Sequence, residues 1–153
     1  AWTLQAVWIT FTVSAAVLAM TSTQEADFSA ISVLGLVLWL VGFSMEVVAD
    51  QQKMRFRKNP ANANRFINTG LWSFCRHPNY TGEIMLWLGI ALIAFPVLEG
   101  WRLLALLSPV LVATLLIKGS GIPLLERAAE AKWGDTDDYQ RYKASTPRLF
   151  PGY

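Results

Sequence analysis

The chain has 153 residues, of which 54% are hydrophobic and 16% charged, and its mean hydropathy is +0.35. This composition is too apolar for an ordinary soluble domain of this length. A net charge of +2 creates no global field that would attract nucleic acid, so we exclude nucleic acid as a partner. The single cysteine and single histidine exclude an intrachain disulfide and a Cys-rich or His-rich metal site. We therefore expect no metal.

Four uncharged stretches follow one another along the chain. They are residues 1–24, 28–45, 84–98 and 103–117. A bilayer core of roughly 30 Å needs about 20 helical residues, which the first two stretches supply. The last two are shorter, but Arg102 and Lys118 can snorkel and residues 80–82 can extend the third helix backwards. We predict an all-α fold, a polytopic membrane helical bundle with about four transmembrane helices. The first stretch lacks a basic n-region, which favours a spanning helix over a signal peptide.

Basic residues concentrate in two places, the loop of residues 47–82 and the tail after Lys118, whereas residues 21–27 contain none. The positive-inside rule therefore places the long loop and the C-terminal tail in the cytoplasm. Together with the apolar stretches, this orientation divides the chain into four segments of a multi-pass integral membrane protein. They are a first transmembrane hairpin (1–48), a basic cytoplasmic loop and helix entry (49–83), a second hairpin (84–118) and a cytoplasmic amphipathic tail (119–153).

The tail begins with a break at Gly119-Ser120-Gly121, and Pro123 favours a new helix start. Residues 124–133 alternate apolar and charged side chains at helical spacing, which predicts an amphipathic helix on the membrane surface. Asp137 or Asp138 would cap a last short helix that carries Tyr139 and Tyr142.

The point where the chain enters the third apolar stretch is unusually polar, with Arg76, His77, Asn79, Tyr80 and Glu83 within eight residues. Polar groups at that depth are costly unless they are satisfied by each other or by a ligand. We expect Asn79 to cap the helix, whose free N–H groups would suit an anion such as phosphate. The alternative is a capped interfacial helix start, with Arg76 facing lipid headgroups and Tyr80 in the aromatic belt.

Two further polar sets accompany this segment. If the second helix continues past the apolar stretch, a first set shares one helical stripe: Glu46, Asp50, Lys53 and Arg57. The alternative for this stripe is a solvated helix end with intrahelical ion pairs. A second set lies in the tail: Glu126, Arg127, Tyr139, Tyr142 and Arg148. Guanidinium groups beside a helix N-terminus suit a phosphorylated cofactor, and tyrosines can stack on rings or donate a proton.

Short motifs connect these sets to a known family. They are Asp50-Gln51-Gln52-Lys53, Gly70-Leu71-Trp72, residues 76–83 (RHPNYTGE), Trp87 with Gly89, Pro123-Leu124-Leu125-Glu126, Trp133-Gly134, Tyr139 with Tyr142, and Thr146-Pro147 with Pro151. In this order they resemble the C-terminal domain of the steroid 5-alpha-reductase family, in its bacterial-type branch, over roughly residues 40–151. The Arg-His-Pro-x-Tyr core is also similar to that of sterol reductases and isoprenylcysteine carboxyl methyltransferases.

The resemblance implies a cytoplasmic NADPH site and hydride transfer to a conjugated carbon–carbon double bond of a lipid or steroid-like substrate, an oxidoreductase of lipid metabolism. Tyr80 is a candidate proton donor. The implied cofactor-binding residues are Glu46, Asp50, Arg57, Arg76, His77, Asn79, Glu83, Tyr139, Tyr142 and Arg148.

Two other functions stay open. The first is a membrane methyltransferase that uses S-adenosylmethionine, although Asp50-Gln51-Gln52-Lys53 fits the reductases better. The second is a non-catalytic accessory subunit of a larger membrane complex, with protein partners beside the surrounding membrane lipids. Met54 stands where characterised steroid reductases carry an Arg. The family also has upstream helices with the Glu and Tyr that polarise a steroid carbonyl, so we expect a segment upstream of Ala1.

Overall fold

The computed structural model describes residues 2–24, 29–119, 121–150 and 152. Four short 3₁₀ helices, Pro60–Asn62, Gly70–Ser73, Phe95–Val97 and Gly100–Leu107, join six α-helices. The α-helices are α1 (Trp2–Met20), α2 (Ala30–Lys58), α3 (Pro78–Ala94), α4 (Ser108–Lys118), α5 (Ile122–Trp133) and α6 (Asp137–Ser145). No strand occurs in these residues, which confirms the predicted all-α class.

Three helical stretches of the described chain are long and apolar enough to cross a membrane, namely Ala30–Lys58, Pro78–Val97 and Gly100–Trp133. A shorter apolar stretch, Ile9–Met20, belongs to α1. The membrane helical bundle is therefore confirmed, with three of about four predicted spans meeting the length of a full crossing. The predicted start of the second stretch, at Phe28, and the motif residue Pro151 lie outside the described residues.

α2 continues well past its apolar part and ends at Lys58, so the predicted polar stripe does lie on one continuous helix. Arg55, Arg57 and Lys58 occupy its last turn, where cations interact favourably with the helix dipole. Asn59 and Pro60 then start a 3₁₀ turn, in which the Asn59 side chain accepts a hydrogen bond from the Ala61 N–H.

The chain divides into two compact units, and the first comprises residues 1–42 and 84–114. Its buried core contains Ala15, Ala94, Leu98 and Ala105. Small residues also let α2 and α3 approach closely. A Cβ atom on Gly89 would lie 2.7 Å from the Gly35 carbonyl oxygen and 2.6 Å from the Trp39 nitrogen, so only glycine fits there.

The second unit comprises residues 43–83 and 115–153. The segment between α2 and α3, residues 59–77, is the loop of this unit, and two hydrogen bonds hold it against α2. The buried Trp72 indole N–H donates to the Ala49 carbonyl (3.1 Å), and the Leu71 N–H donates to Gln52 Oε1 (2.9 Å). Gly70 has a φ of +64°, and a Cβ atom there would lie 2.6–2.7 Å from the Gln52 amide. The Gly70-Leu71-Trp72 motif is thus explained by a left-handed turn packed on Gln52.

The C-terminal tail of this unit runs beside the entry to α3. The N–H groups of Arg76 and His77 donate to the carbonyl oxygens of Pro147 (2.9 Å) and Arg148 (3.0 Å). Thr146 and Leu149 are buried in the same segment. Both the loop that precedes α3 and the C-terminal tail therefore hold the polar segment that begins α3 in place.

Two predicted helix caps are wrong. α3 begins at Pro78, whose fixed φ suits a first helical position, so Asn79 lies in the first turn and does not precede it. α6 begins after Thr136 and includes Asp137 and Asp138 in its first turn, where carboxylates interact favourably with the helix dipole.

Candidate functional site

A largely buried ion cluster lies in the second unit. The Glu126 carboxylate on α5 accepts a hydrogen bond from the Arg76 guanidinium and lies 2.8 Å from His77 Nε2 through its other oxygen. The exposed fractions of these side chains are 9% for Arg76, 7% for His77 and 16% for Glu126. Charges this buried are stable only when paired, so the loop and α5 position one another through the three side chains.

Beside this cluster is a cavity of about 470 Å³, which we call the basic cavity. Its wall comes from the end of α2, the loop, α5 and α6. The charged or imidazole side chains among its described lining residues are Lys53, Arg57, Arg65, Arg76, His77, Glu126 and Lys132. Five Lys or Arg side chains and a single carboxylate thus belong to the described lining, which is therefore strongly positive. Arg76 Nε is buried without a hydrogen-bond partner in the described chain.

The remaining wall of the basic cavity is aromatic. The Phe66 ring lies 5.3 Å from both Tyr139 and Tyr142, and Trp133 lies 6.0 Å from Phe66. The Tyr142 hydroxyl donates to the Trp72 carbonyl oxygen (2.6 Å). Burial raises the pKa of both Tyr139 and Tyr142, so both phenols stay protonated at neutral pH. The cavity therefore combines cationic donors with flat apolar surfaces, a combination that suits a phosphorylated molecule with aromatic rings.

A second cavity, of about 780 Å³, lies in the same unit and shares Phe56, Arg65, Phe66, Trp133 and Tyr142 with the first. Its other lining residues are mostly polar: Asn64, Asn68, Thr69, Ser73, Thr136, Asp138, Arg141, Ser145 and Thr146. Arg141 is already paired with Asp138 (2.5 Å). The basic cavity thus adjoins a roomier, hydroxyl-rich one.

Ten of the eleven predicted site residues fall into two groups, and Arg148 belongs to neither. Five of them line the basic cavity: Arg57, Arg76, His77, Tyr139 and Tyr142. The other five are not among the described residues that line this cavity. We call them the acidic group: Glu46, Asp50, Asn79, Tyr80 and Glu83. Arg148 has an exposed side chain, and its carbonyl oxygen accepts the His77 N–H.

The acidic group belongs to α2 and the first turns of α3. Glu83 interacts electrostatically with Glu46 and Asp50, and Tyr80 with Glu83 and Asp50. The Tyr80 ring stacks on His77 at 5.7 Å with an interplanar angle of 15°, so Tyr80 and His77 connect the acidic group to the basic cavity. Asn79 Oδ1 is buried without a hydrogen-bond partner in the described residues, which leaves an acceptor for a ligand.

The sequence interpretation missed several residues of the basic cavity, chiefly Arg65, Phe66, Lys132 and Trp133. Lys132 and Trp133 end α5 and donate to the carbonyl oxygens of Ala63 (3.2 Å) and Asn64 (2.8 Å). These two bonds bring α5 to a loop nearly 70 residues away in sequence. The concentration of basic residues in the loop and tail was the available signal, but spacing does not show which of them meet.

Comparison with known proteins connects this site to a family. The family model described as "Protein of unknown function (DUF1295)" matches residues 1–146. A 58-residue segment is 38% identical to "Probable O-methyltransferase ustE" of Ustilaginoidea virens, covering 38% of this chain and 20% of that protein. An uncharacterized protein of Schizosaccharomyces pombe is 30% identical over 155 aligned positions, covering 88% of this chain and 43% of its own length.

The chain therefore spans less than half the length of both of these curated relatives. No solved structure matches it. The family match extends from the first apolar helix through α6, and so covers both units and nearly all of the site described above. The chain belongs to the DUF1295 family, which is steroid 5-alpha-reductase-like.

Proposed function

We propose that this chain is the cofactor-binding part of a membrane-embedded, NADPH-dependent reductase that acts on a conjugated double bond of a lipid. The observation that carries this proposal is the charge of the basic cavity, whose described lining contains five Lys or Arg side chains and one carboxylate. NADPH is a polyanion with phosphates and two ring systems, whereas S-adenosylmethionine is a net cation. A positively lined cavity with aromatic walls favours the polyanion.

The residues present fit such a cofactor. Arg76 is nine-tenths buried and keeps a donor, Nε, without a partner in the described chain. Arg57 and Arg65 offer guanidinium groups of the kind that hold an additional ribose phosphate. The unpartnered Asn79 Oδ1 would accept from an amide or hydroxyl donor. We assign the phosphates to the basic cavity and the amide end to the acidic group.

Bound NADPH would supply the hydride for one carbon of the double bond. The other carbon needs a proton, and we propose Tyr80 as its donor, because its ring is held against His77 in the first turn of a membrane-spanning helix. A reacting double bond at that depth implies a substrate that is itself lipid-soluble. A cytoplasmic orientation of the loop and tail, which their basic residues predict, would give the cavity access to NADPH.

Cofactor binding by the purified chain in detergent or nanodiscs tests the proposal. Arg57 lines the cavity, and Arg55, two residues away on α2, is exposed and does not belong to the cavity lining. Arg57→Gln should raise the Kd for NADPH roughly five- to tenfold through loss of a charge-assisted contact. The matched control Arg55→Gln should leave it unchanged. Equal effects of both variants would show that only net charge matters and would contradict the site.

The 58-residue match to the named O-methyltransferase favours one other function, methyl transfer from S-adenosylmethionine. The same titration run with S-adenosylmethionine decides between them. Tight binding of S-adenosylmethionine, unaffected by Arg57→Gln, would move the site to methyl transfer. Binding of neither ligand would favour the accessory-subunit alternative, in which the fold acts through protein partners.

A further inference from the structure

Two large aromatic side chains of the second unit are exposed beside the entry to α3. Phe74 is 66% exposed and Phe150 is 59% exposed. Phe74 lies four residues before Pro78, where a stretch long and apolar enough to span a membrane begins. Exposed aromatic side chains next to the start of a membrane-spanning stretch are candidates for contact with the lipid interface.

The position of Phe150 relative to α3 is fixed by the backbone. Its N–H donates to Thr81 Oγ1 (3.3 Å), and Thr81 is a buried residue in the first turn of α3. The preceding tail residues are held by the two backbone hydrogen bonds from Arg76 and His77. Leu149 is 5% exposed, so the tail buries one apolar side chain in the protein and leaves the next one outside. Phe150 is thus level with the beginning of a membrane-spanning helix.

We infer that Phe74 and Phe150 insert into the lipid interface and anchor the C-terminal tail to the membrane surface. The occupant is lipid because both side chains lie next to the start of a helix that is long and apolar enough to cross the bilayer, and aromatic side chains concentrate at that interface. The anchor keeps the segment that carries Arg76 and His77 at the membrane surface, whatever ligand the basic cavity holds.

Spin labelling measures the depth of these positions in the full chain reconstituted in nanodiscs. Single cysteines replace Phe74, Phe150 or the control Ala144, an exposed residue of α6, in a Cys75→Ala background. Power saturation compares collisions with oxygen, which concentrates in lipid, and with a water-soluble nickel chelate. We expect the oxygen-to-nickel ratio at positions 74 and 150 to be several-fold higher than at 144. A ratio at 150 equal to that at 144 would overturn the inference.

A second measurement keeps an aromatic ring at the position and so avoids misfolded variants. Benzoylphenylalanine in place of Phe150 should cross-link to phospholipid under ultraviolet light, as a mass increase of the chain by one lipid. If irradiation produces no lipid adduct at position 150 in protein whose gel-filtration profile is unchanged, the membrane anchor is contradicted.

Discussion

Glu126 is the carboxylate that keeps two buried basic side chains together. It contacts both Arg76 and His77, and all three side chains are largely shielded from water. A second carboxylate on the same helix, Glu130, is far more exposed and pairs with Lys143 at 2.7 Å. The Glu126 contacts are the more buried, and desolvation makes breaking them the costlier change.

We predict that Glu126→Gln destabilises the protein by roughly 2 kcal/mol, since the nine-tenths-buried Arg76 loses its counter-charge. Glu130→Gln is the matched control and should leave the melting temperature nearly unchanged. Thermal unfolding in detergent, followed by circular dichroism, measures both. Equal melting temperatures for the two variants would mean that the ion cluster contributes nothing beyond surface pairing.

A comparison of Gly70 with Gly100 distinguishes the steric cost of an added side chain from the cost of a left-handed backbone conformation. Both have positive φ, +64° and +57°, but only Gly70 has atoms within 4 Å of an added Cβ, the Gln52 amide. Gly100→Ala should cost about 1 kcal/mol of unfolding free energy for the backbone conformation. Gly70→Ala should cost about 1–2 kcal/mol more, since Gln52 must move and its bond to the Leu71 N–H is lost. Denaturant unfolding checks this order, and a larger loss at Gly100 would refute it.

Among the helices, α2 and α3 pack closely against each other through small residues. Each begins or ends in polar residues of the second unit and has an apolar part in the first unit, where the two helices pack through Gly35 and Gly89. Apolar side chains gain little from burial against one another in lipid, so close van der Waals packing between small residues holds such helices together.

Gly89→Ala should therefore destabilise the helix pair by about 1–3 kcal/mol, because the new methyl group would lie under 3 Å from the backbone of α2. Leu88→Ala is the control: the neighbouring side chain is 43% exposed and should tolerate truncation. Resistance to unfolding by sodium dodecyl sulfate measures the difference. If Leu88→Ala proved the more damaging change, close packing at Gly89 would not be the source of stability.

For the whole molecule, the distribution of basic residues predicts a single orientation. Cysteines introduced at Ala61 in the loop and Ala144 in the tail, in a Cys75→Ala background, should both react with a membrane-impermeant maleimide from the cytoplasmic side. A cysteine at Thr23 should react only from the opposite side. Labelling of inside-out and right-side-out vesicles reads this out. Labelling of positions 61 and 144 from different sides would contradict the topology.

The sequence determined the class of the protein because hydropathy acts over whole stretches. Long uncharged runs between charged flanks leave few alternatives to spanning helices, and the order of short motifs was enough to indicate the family. Helix starts were less predictable. Pro78 displaced Asn79 from the cap position, since the restricted φ of proline suits the first helical residue better than it suits the loop.

Only the tertiary structure decided which side chains meet. Residues 76–77, 126 and 147–148 lie in three distant parts of the chain, yet they form one cluster through hydrogen bonds that connect the loop, α5 and the tail. The ten predicted cofactor-binding residues divide between the basic cavity, the acidic group and an exposed Arg148, whereas Arg65 and Lys132 entered the cavity unpredicted. Residue spacing determines which side chains share one face of a helix. Loop closure and packing determine which side chains from elsewhere in the chain contact that face.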